Sequence, residues 1–261
     1  QKTGIRWLRC GGWDERQWSD KAALLAAKNG VALVPVLYLR EISHDKTMPL
    51  DEALKRWREV VRNAVKRYGP DGDLWKENKG QPAAPIRYWE VWNEPNIEFL
   101  TPPEGMLRTE LYAKLLMAAA EEIRRLDPGA GLIAFNTAGG NPDRGQALKA
   151  DDMFQKLKYI GWRKFINDTV KLSGTACFDA VGTHPYCQPA SPEEGGIIPG
   201  LEMLRETATQ LGFADKPVWF TEVGWPLEYP KNQQVRDERQ QACFVARLFA
   251  IAAAHGVTQV Q

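Results

Sequence analysis

The fold class that this sequence predicts is α/β, a (β/α)8 barrel, and three observations predict it. Short β-rich runs alternate with longer amphipathic segments along the whole chain, the order of a parallel sheet covered by helices. Several β-rich runs are apolar at nearly every position, as strands buried on both faces must be. The length of 261 residues matches the roughly 250 of a single barrel domain. No repeat, low-complexity stretch or linker divides the chain, so residues 1–261 read as one domain.

Gly4 to Cys10 (Gly-Ile-Arg-Trp-Leu-Arg-Cys) reads as the first strand. Ser19 or Asp20 can cap the helix that follows through Ala22, Leu24, Leu25 and Ala27, and Asn29-Gly30 ends it. Val31 to Leu39 is the second strand. Leu54, Trp57, Val61, Ala64, Val65 and Tyr68 fall on one face at helical spacing, which predicts a helix over 51–68. Gly69-Pro70 stops it, and 71–85, rich in polar residues, Gly and Pro, reads as a loop.

Ile86 to Trp92 is the third strand, ending in Asn93-Glu94-Pro95. A helix over 109–126 aligns Leu111, Leu115, Ala119 and Ile123 and breaks at Asp127-Pro128-Gly129. Gly131 to Phe135 is the fourth strand, and a helical region covers 150–172. Phe178 to Thr183 is the fifth strand, running into His184-Pro185-Tyr186. A helix over 200–212 leads to the sixth strand, Pro217 to Thr221, which ends in Glu222. Residues 231–255 are helical, and Val257 to Val260 begins a seventh strand. Seven strands would leave a barrel with unpaired edges. The expectation is an excerpt of a longer protein, without its first strand and the end of its last.

Composition excludes some classes. A formal net charge of +1 lacks the basic excess of a nucleic-acid binder and gives no polybasic membrane signal. No apolar run reaches the roughly 20 residues of a membrane helix. No secretory signal is visible, and a trimmed chain would read the same, so the compartment stays open, secreted and periplasmic locations included. Cys10, Cys177, Cys187 and Cys243 form no C-x-x-C pair and no His-rich spacing accompanies them, so they read as thiols and not as a zinc site. Ten tryptophans are an unusual number. Most belong in the core, although the indole face is also a platform for sugar rings.

Two carboxylates stand out by position. Catalytic groups of a barrel sit at the C-terminal ends of its strands, and Glu94 and Glu222 both end strands. Pro95 has no N–H for the ladder and stops the strand just after Glu94. Asn93 beside it can donate to a sugar hydroxyl. Val218-Trp219-Phe220-Thr221 delivers Glu222 alone at the end of an apolar run. Two such carboxyl groups are what glycoside hydrolysis needs, one on each side of the scissile bond.

Around these residues the chain resembles the retaining (β/α)8 glycoside hydrolases of clan A. In that clan the acid/base follows an asparagine after strand four and the nucleophile ends strand seven, three strands later, as Glu94 and Glu222 are spaced here. Within the clan the likeness is to glycoside hydrolase family 39. It is carried by Trp89-Glu90-Val91-Trp92-Asn93-Glu94-Pro95-Asn96, by Asp127-Pro128-Gly129 and by Phe178-Asp179-Ala180-Val181-Gly182-Thr183-His184-Pro185-Tyr186. The resemblance implies cleavage of β-glycosidic bonds with Glu94 as general acid/base and Glu222 as nucleophile. The partner is a carbohydrate, and the mechanism needs no cofactor and no metal.

The same resemblance implies that Arg9 holds the nucleophile ionised, because a nearby cation favours a carboxylate. It implies that His184 and Tyr186 bond the nucleophile or sugar hydroxyls. Trp225, three residues after Glu222, is a candidate for stacking on a sugar, and Trp13 is a weaker one. Trp89 and Trp92 read as packing residues. Asn136 could reach the site but is given no role, and neither are His44 and His255. The clan's aromatic residue at the end of strand eight is not reached before Gln261. Two rivals remain: a transglycosylase of the same clan, and a non-catalytic carbohydrate-binding barrel. Sugar, linkage, exo or endo action and oligomeric state stay open.

Overall fold

A computed structural model describes residues 4–11, 16–44, 47–139, 158–228 and 234–261. Trp13 lies outside them. Seven strands are present among the described residues: β1 Trp7–Cys10, β2 Ala32–Leu37, β3 Tyr88–Val91, β4 Gly131–Ala138, β5 Ala180–His184, β6 Val218–Phe220 and β7 Val257–Val260. They form one sheet in the order β1-β2-β3-β4-β5-β6-β7, and each pairs in parallel with the next. Every strand read from sequence is there; β1, β2, β3 and β6 are shorter than read, β4 runs on to Ala138 and β5 to His184, and β7 has the bounds read. The intervening helices are α1 Arg16–Lys28, α2 Arg40–His44, α3 Leu50–Tyr68, α4 Asp73–Glu77, α5 Arg108–Leu126, α6 Trp162–Ser173, α7 Ile197–Leu211 and α8 Glu238–Ala254. This is the parallel, helix-covered sheet of a (β/α)8 barrel, with seven strands among the described residues.

The sheet curls. Trp7 on β1 and Trp219 on β6 are not on neighbouring strands, yet their rings are 6.0 Å apart. Tyr88 on β3 meets both, at 5.8 and 4.9 Å. These three rings, with Val34, Ile133 and Ala180, fill the interior as side chains fill the layers of a barrel. Gly131 makes room for Tyr88, because a Cβ there would stand 2.5 Å from the Tyr88 ring. Side chains two positions apart share a face of a strand. Arg9 and Glu90 therefore stand on the interior face one step beyond Trp7 and Tyr88, towards the end where the catalytic groups of a barrel sit.

The opposite face carries the main core. Trp57, Trp89, Trp92, Tyr112, Phe135, Phe165, Phe178 and Phe213 are all fully enclosed between the sheet and its helices. The buried hydroxyl of Tyr112 accepts the N–H of Phe135 at 2.6 Å and donates to the carbonyl of Val91 at 3.1 Å, stitching α5 to β3 and β4.

Two readings are corrected. Ser19 and Asp20 do not cap a helix, since α1 already begins at Arg16. Asp20 instead accepts from Arg67 and Tyr68 on α3. The stretch 71–85 contains the short helix α4, and His44 closes the short helix α2. None of the four cysteines forms a disulfide, and no described helix is long and apolar enough to cross a membrane.

One ion cluster ties the outer layer. Glu122 on α5 accepts from Arg62 on α3 at 2.8 Å and from Arg125 at 2.6 Å. The Arg62 hydrogen bond, more than any other contact, holds its carboxyl down to about 2. A lowered carboxyl stabilises the fold above its unfolded pKa of about 4.3 and stops doing so as pH falls to the folded value. Glu122→Gln should therefore lose about 1.5–3 kcal/mol at pH 7. In urea titrations its gap to wild type should shrink at pH 3. A gap that did not change with pH would mean that the charge of Glu122 contributes nothing.

Candidate active site

The C-terminal ends of β1, β3, β5 and β6 bring seven polar side chains together, and Arg9 is the hub. Its Nε and Nη2 form a fork on Glu90, at 2.8 Å to Oε2 and 2.7 Å to Oε1. Nη2 also donates to Asn93 Oδ1 at 2.6 Å, and Nη1 donates to Glu222 Oε2 at 2.8 Å. Burial works against the guanidinium charge, but the bond to Glu90 and the charges of Glu90, Glu222 and Glu94 outweigh it and raise the pKa of Arg9. Arg9 is thus a fixed cation with its fork aimed by Glu90. Asn93 spends its amide oxygen on Arg9, so the group it has left for a ligand is its NH2.

The other oxygen of Glu222 is also held. Tyr186 Oη donates to Oε1 at 2.6 Å. Burial first, and then the hydrogen bond to Glu222, push the Tyr186 phenol far above its usual range, so it remains a donor at any working pH. Glu94 meets His184, whose Nδ1 lies 3.0 Å from Glu94 Oε1 and 3.8 Å from Glu222 Oε2. These two oxygens cannot be further apart than those contacts laid end to end. That bound, on one oxygen of each carboxylate, is compatible with the separation of about 5–5.5 Å between the carboxyl groups of retaining glycosidases.

His184 is fully enclosed, Glu94 is mostly covered and Glu222 is 36% exposed in its side chain. The described residues include no group of three or more His, Cys, Asp or Glu side chains arranged to hold a metal ion.

Two readings change. Trp225 is not brought to the carboxylates. It is 3% exposed, packs edge-on against Phe244 at 5.6 Å and donates its indole N–H to the carbonyl of Ala190 at 2.8 Å. An indole so buried and so satisfied offers no face to a sugar. Glu90 was not singled out, yet it is fully buried at the centre of the network. The signal was present: a carboxylate inside an apolar strand must find a partner, and Arg9 was its candidate. Trp89 and Trp92 are packing residues, as read.

No protein-family model matches the chain, and no curated protein matches it. Solved structures do match. The GH53 catalytic domain of Ignisphaera aggregans superposes with a TM-score of 0.65 at 19% identity, over 99% of this chain and 74% of that one. A monomeric β-xylosidase from Caulobacter crescentus gives 0.63 at 18%, over 98% and 53%. The GH39 enzyme of Xanthomonas axonopodis pv. citri gives 0.60 at 18%, over 95% and 46%. The fold is the one these glycosidases share. The chain spans about half the length of the last two.

Proposed function

We propose that this chain is the catalytic barrel of a retaining glycoside hydrolase of clan A, most like family 39 in its motifs, acting on β-glycosidic bonds of oligo- or polysaccharides. One observation carries the reading. Two carboxylates at strand ends share one histidine nitrogen, and one of them is gripped on both oxygens by Arg9 and Tyr186 while the other is not. That asymmetry supports the assignment of the roles. Glu222, oriented and paired with a cation, is the nucleophile. Glu94, mostly covered and with no Arg or Lys contact among the described residues, is the acid/base.

The reaction is a double displacement. Glu94 protonates the leaving oxygen as Glu222 attacks the anomeric carbon and forms a glycosyl ester. Glu94, now a carboxylate, takes a proton from water, and that water opens the ester with the original configuration restored. Arg9 and Tyr186 hold Glu222 in line, and Asn93 offers its NH2 to a sugar hydroxyl. A carbohydrate substrate also agrees with the printed activities of the fold's neighbours, among them a β-xylosidase and an endo-1,4-β-D-mannanase.

The test is hydrolysis of a panel of aryl β-glycosides and β-linked oligosaccharides, with the anomer of the first product followed by NMR. Cleavage with retention is expected, and the panel names the sugar. An inverted product would remove Glu222 as nucleophile. Binding of oligosaccharide without cleavage across the panel would leave a carbohydrate-binding barrel.

A further inference from the structure

Glu94 does not leave its strand in extended geometry. Trp92 and Glu94 have φ of 66° and 44°, and beside them on β4 Phe135 and Asn136 have φ of 75° and 43°. Positive φ is uncommon outside glycine, most of all for bulky residues, and persists where the surroundings over-determine it. The β4–β5 register slips between Phe135 and Thr137, so Asn136 is the extra residue of a bulge.

Asn136 is fully buried and bonds in three directions. Its main-chain carbonyl accepts the N–H of Glu94 at 3.1 Å. Its side-chain NH2 donates to the carbonyls of Val91 and Trp92, both at 3.3 Å, at the root of the turn that carries Glu94. Its side-chain oxygen accepts the hydroxyl of Thr221 at 3.3 Å, and Thr221 immediately precedes Glu222. The space for this side chain exists because residue 182 is glycine, where a Cβ would stand 1.8 Å from Asn136 Oδ1.

We infer that Asn136 is a positioning residue that holds the left-handed turn at Glu94 and ties it to the Glu222 strand, so setting the separation of the two carboxylates. The inference rests on the assignment of Glu94 as acid/base and Glu222 as nucleophile. Asn136 acts through main-chain groups and Thr221, not on substrate.

Asn136→Gly tests it, because glycine keeps the left-handed backbone and deletes only the side chain. Two aryl glycosides are compared, one with a poor leaving group that needs a proton from Glu94 and one activated enough not to need it. Expected is a fall in kcat/KM of about 100-fold on the first and under about threefold on the second, the pattern of a misplaced acid. Thr221→Val, which cuts only the tie to the nucleophile strand and which Asn136→Gly also cuts, should lower both substrates alike and by under about threefold. Equal losses on both substrates in Asn136→Gly, or no loss, would overturn the inference, as would a Thr221→Val variant with unchanged rates. A crystal structure of Asn136→Gly gives a readout independent of activity. Glu94 is expected to leave His184 Nδ1, and a contact kept at its present distance would also overturn the inference. If wild type cleaves neither glycoside, the hydrolase reading fails, and the crystal structure still decides the role of Asn136.

Discussion

Glu90→Gln is expected to cost about 3–5 kcal/mol of folding stability, the cost of breaking a buried ion pair from one side, and to disarm the site with it. Glu90 is fully buried, and burial pushes its carboxyl up while the Arg9 fork pulls it back. Glutamine keeps one acceptor and turns an NH2 towards the guanidinium. Arg9, only 17% exposed in its side chain, is then left with Glu222 as its one anionic contact among the described residues. Its fork loses its aim, and with it the bonds to Asn93 and Glu222. Urea titration measures the first effect and kcat on a poor-leaving-group glycoside the second. A variant within about 0.5 kcal/mol of wild type, the span of ordinary surface changes, would show that Arg9 does not depend on Glu90. The double variant Arg9→Met with Glu90→Leu separates the two effects. Apolar replacement of a whole buried pair is often neutral or stabilising, so stability should return while activity stays lost.

The strands were legible because a strand covered on both faces needs apolar residues at nearly every position, and Val34 and Leu37 are enclosed as that requires. Strand ends were legible through Pro95 and through the acid that closes the apolar run Val218-Trp219-Phe220-Thr221, which is why Glu94 and Glu222 could be placed at the rim. Glu90 was hidden by the same rule that revealed the strands. In Tyr88-Trp89-Glu90-Val91 both faces are apolar, so a period of two does not say which way the one acid points. Trp225 was misread because a loop indole can turn to solvent or to the core with equal ease. Here Phe244 and the Ala190 carbonyl decide it. The bulge at Asn136 had no glycine to announce it. Asparagine is the side chain that both tolerates positive φ and bonds nearby main chain, but that pairing becomes visible only once β3 lies beside it and Thr221, at the end of β6, comes within reach.

The opposed responses of Glu222→Gln and Glu94→Gln carry the functional reading. At 222, glutamine keeps the shape, with its oxygen on Arg9 and its NH2 towards the Tyr186 oxygen, so sugar binding should persist. No covalent intermediate can form, and kcat/KM should fall by at least about 10⁴-fold on poor and activated glycosides alike. At 94 the loss is selective. Without a proton to give, kcat/KM on the poor leaving group should drop by about 10²–10⁴-fold and on the activated one hardly at all, because that leaving group departs as an anion. Turnover of the activated substrate should still slow, since water must then open the glycosyl ester unaided by a base, and the ester should accumulate as a burst. The opposite pattern would exchange the two roles, with Arg9 and Tyr186 then gripping the acid. Full activity of either variant on the poor-leaving-group glycoside would remove that residue from the reaction, and the shared contact at His184 would then be an ion pair of the barrel rim and nothing more.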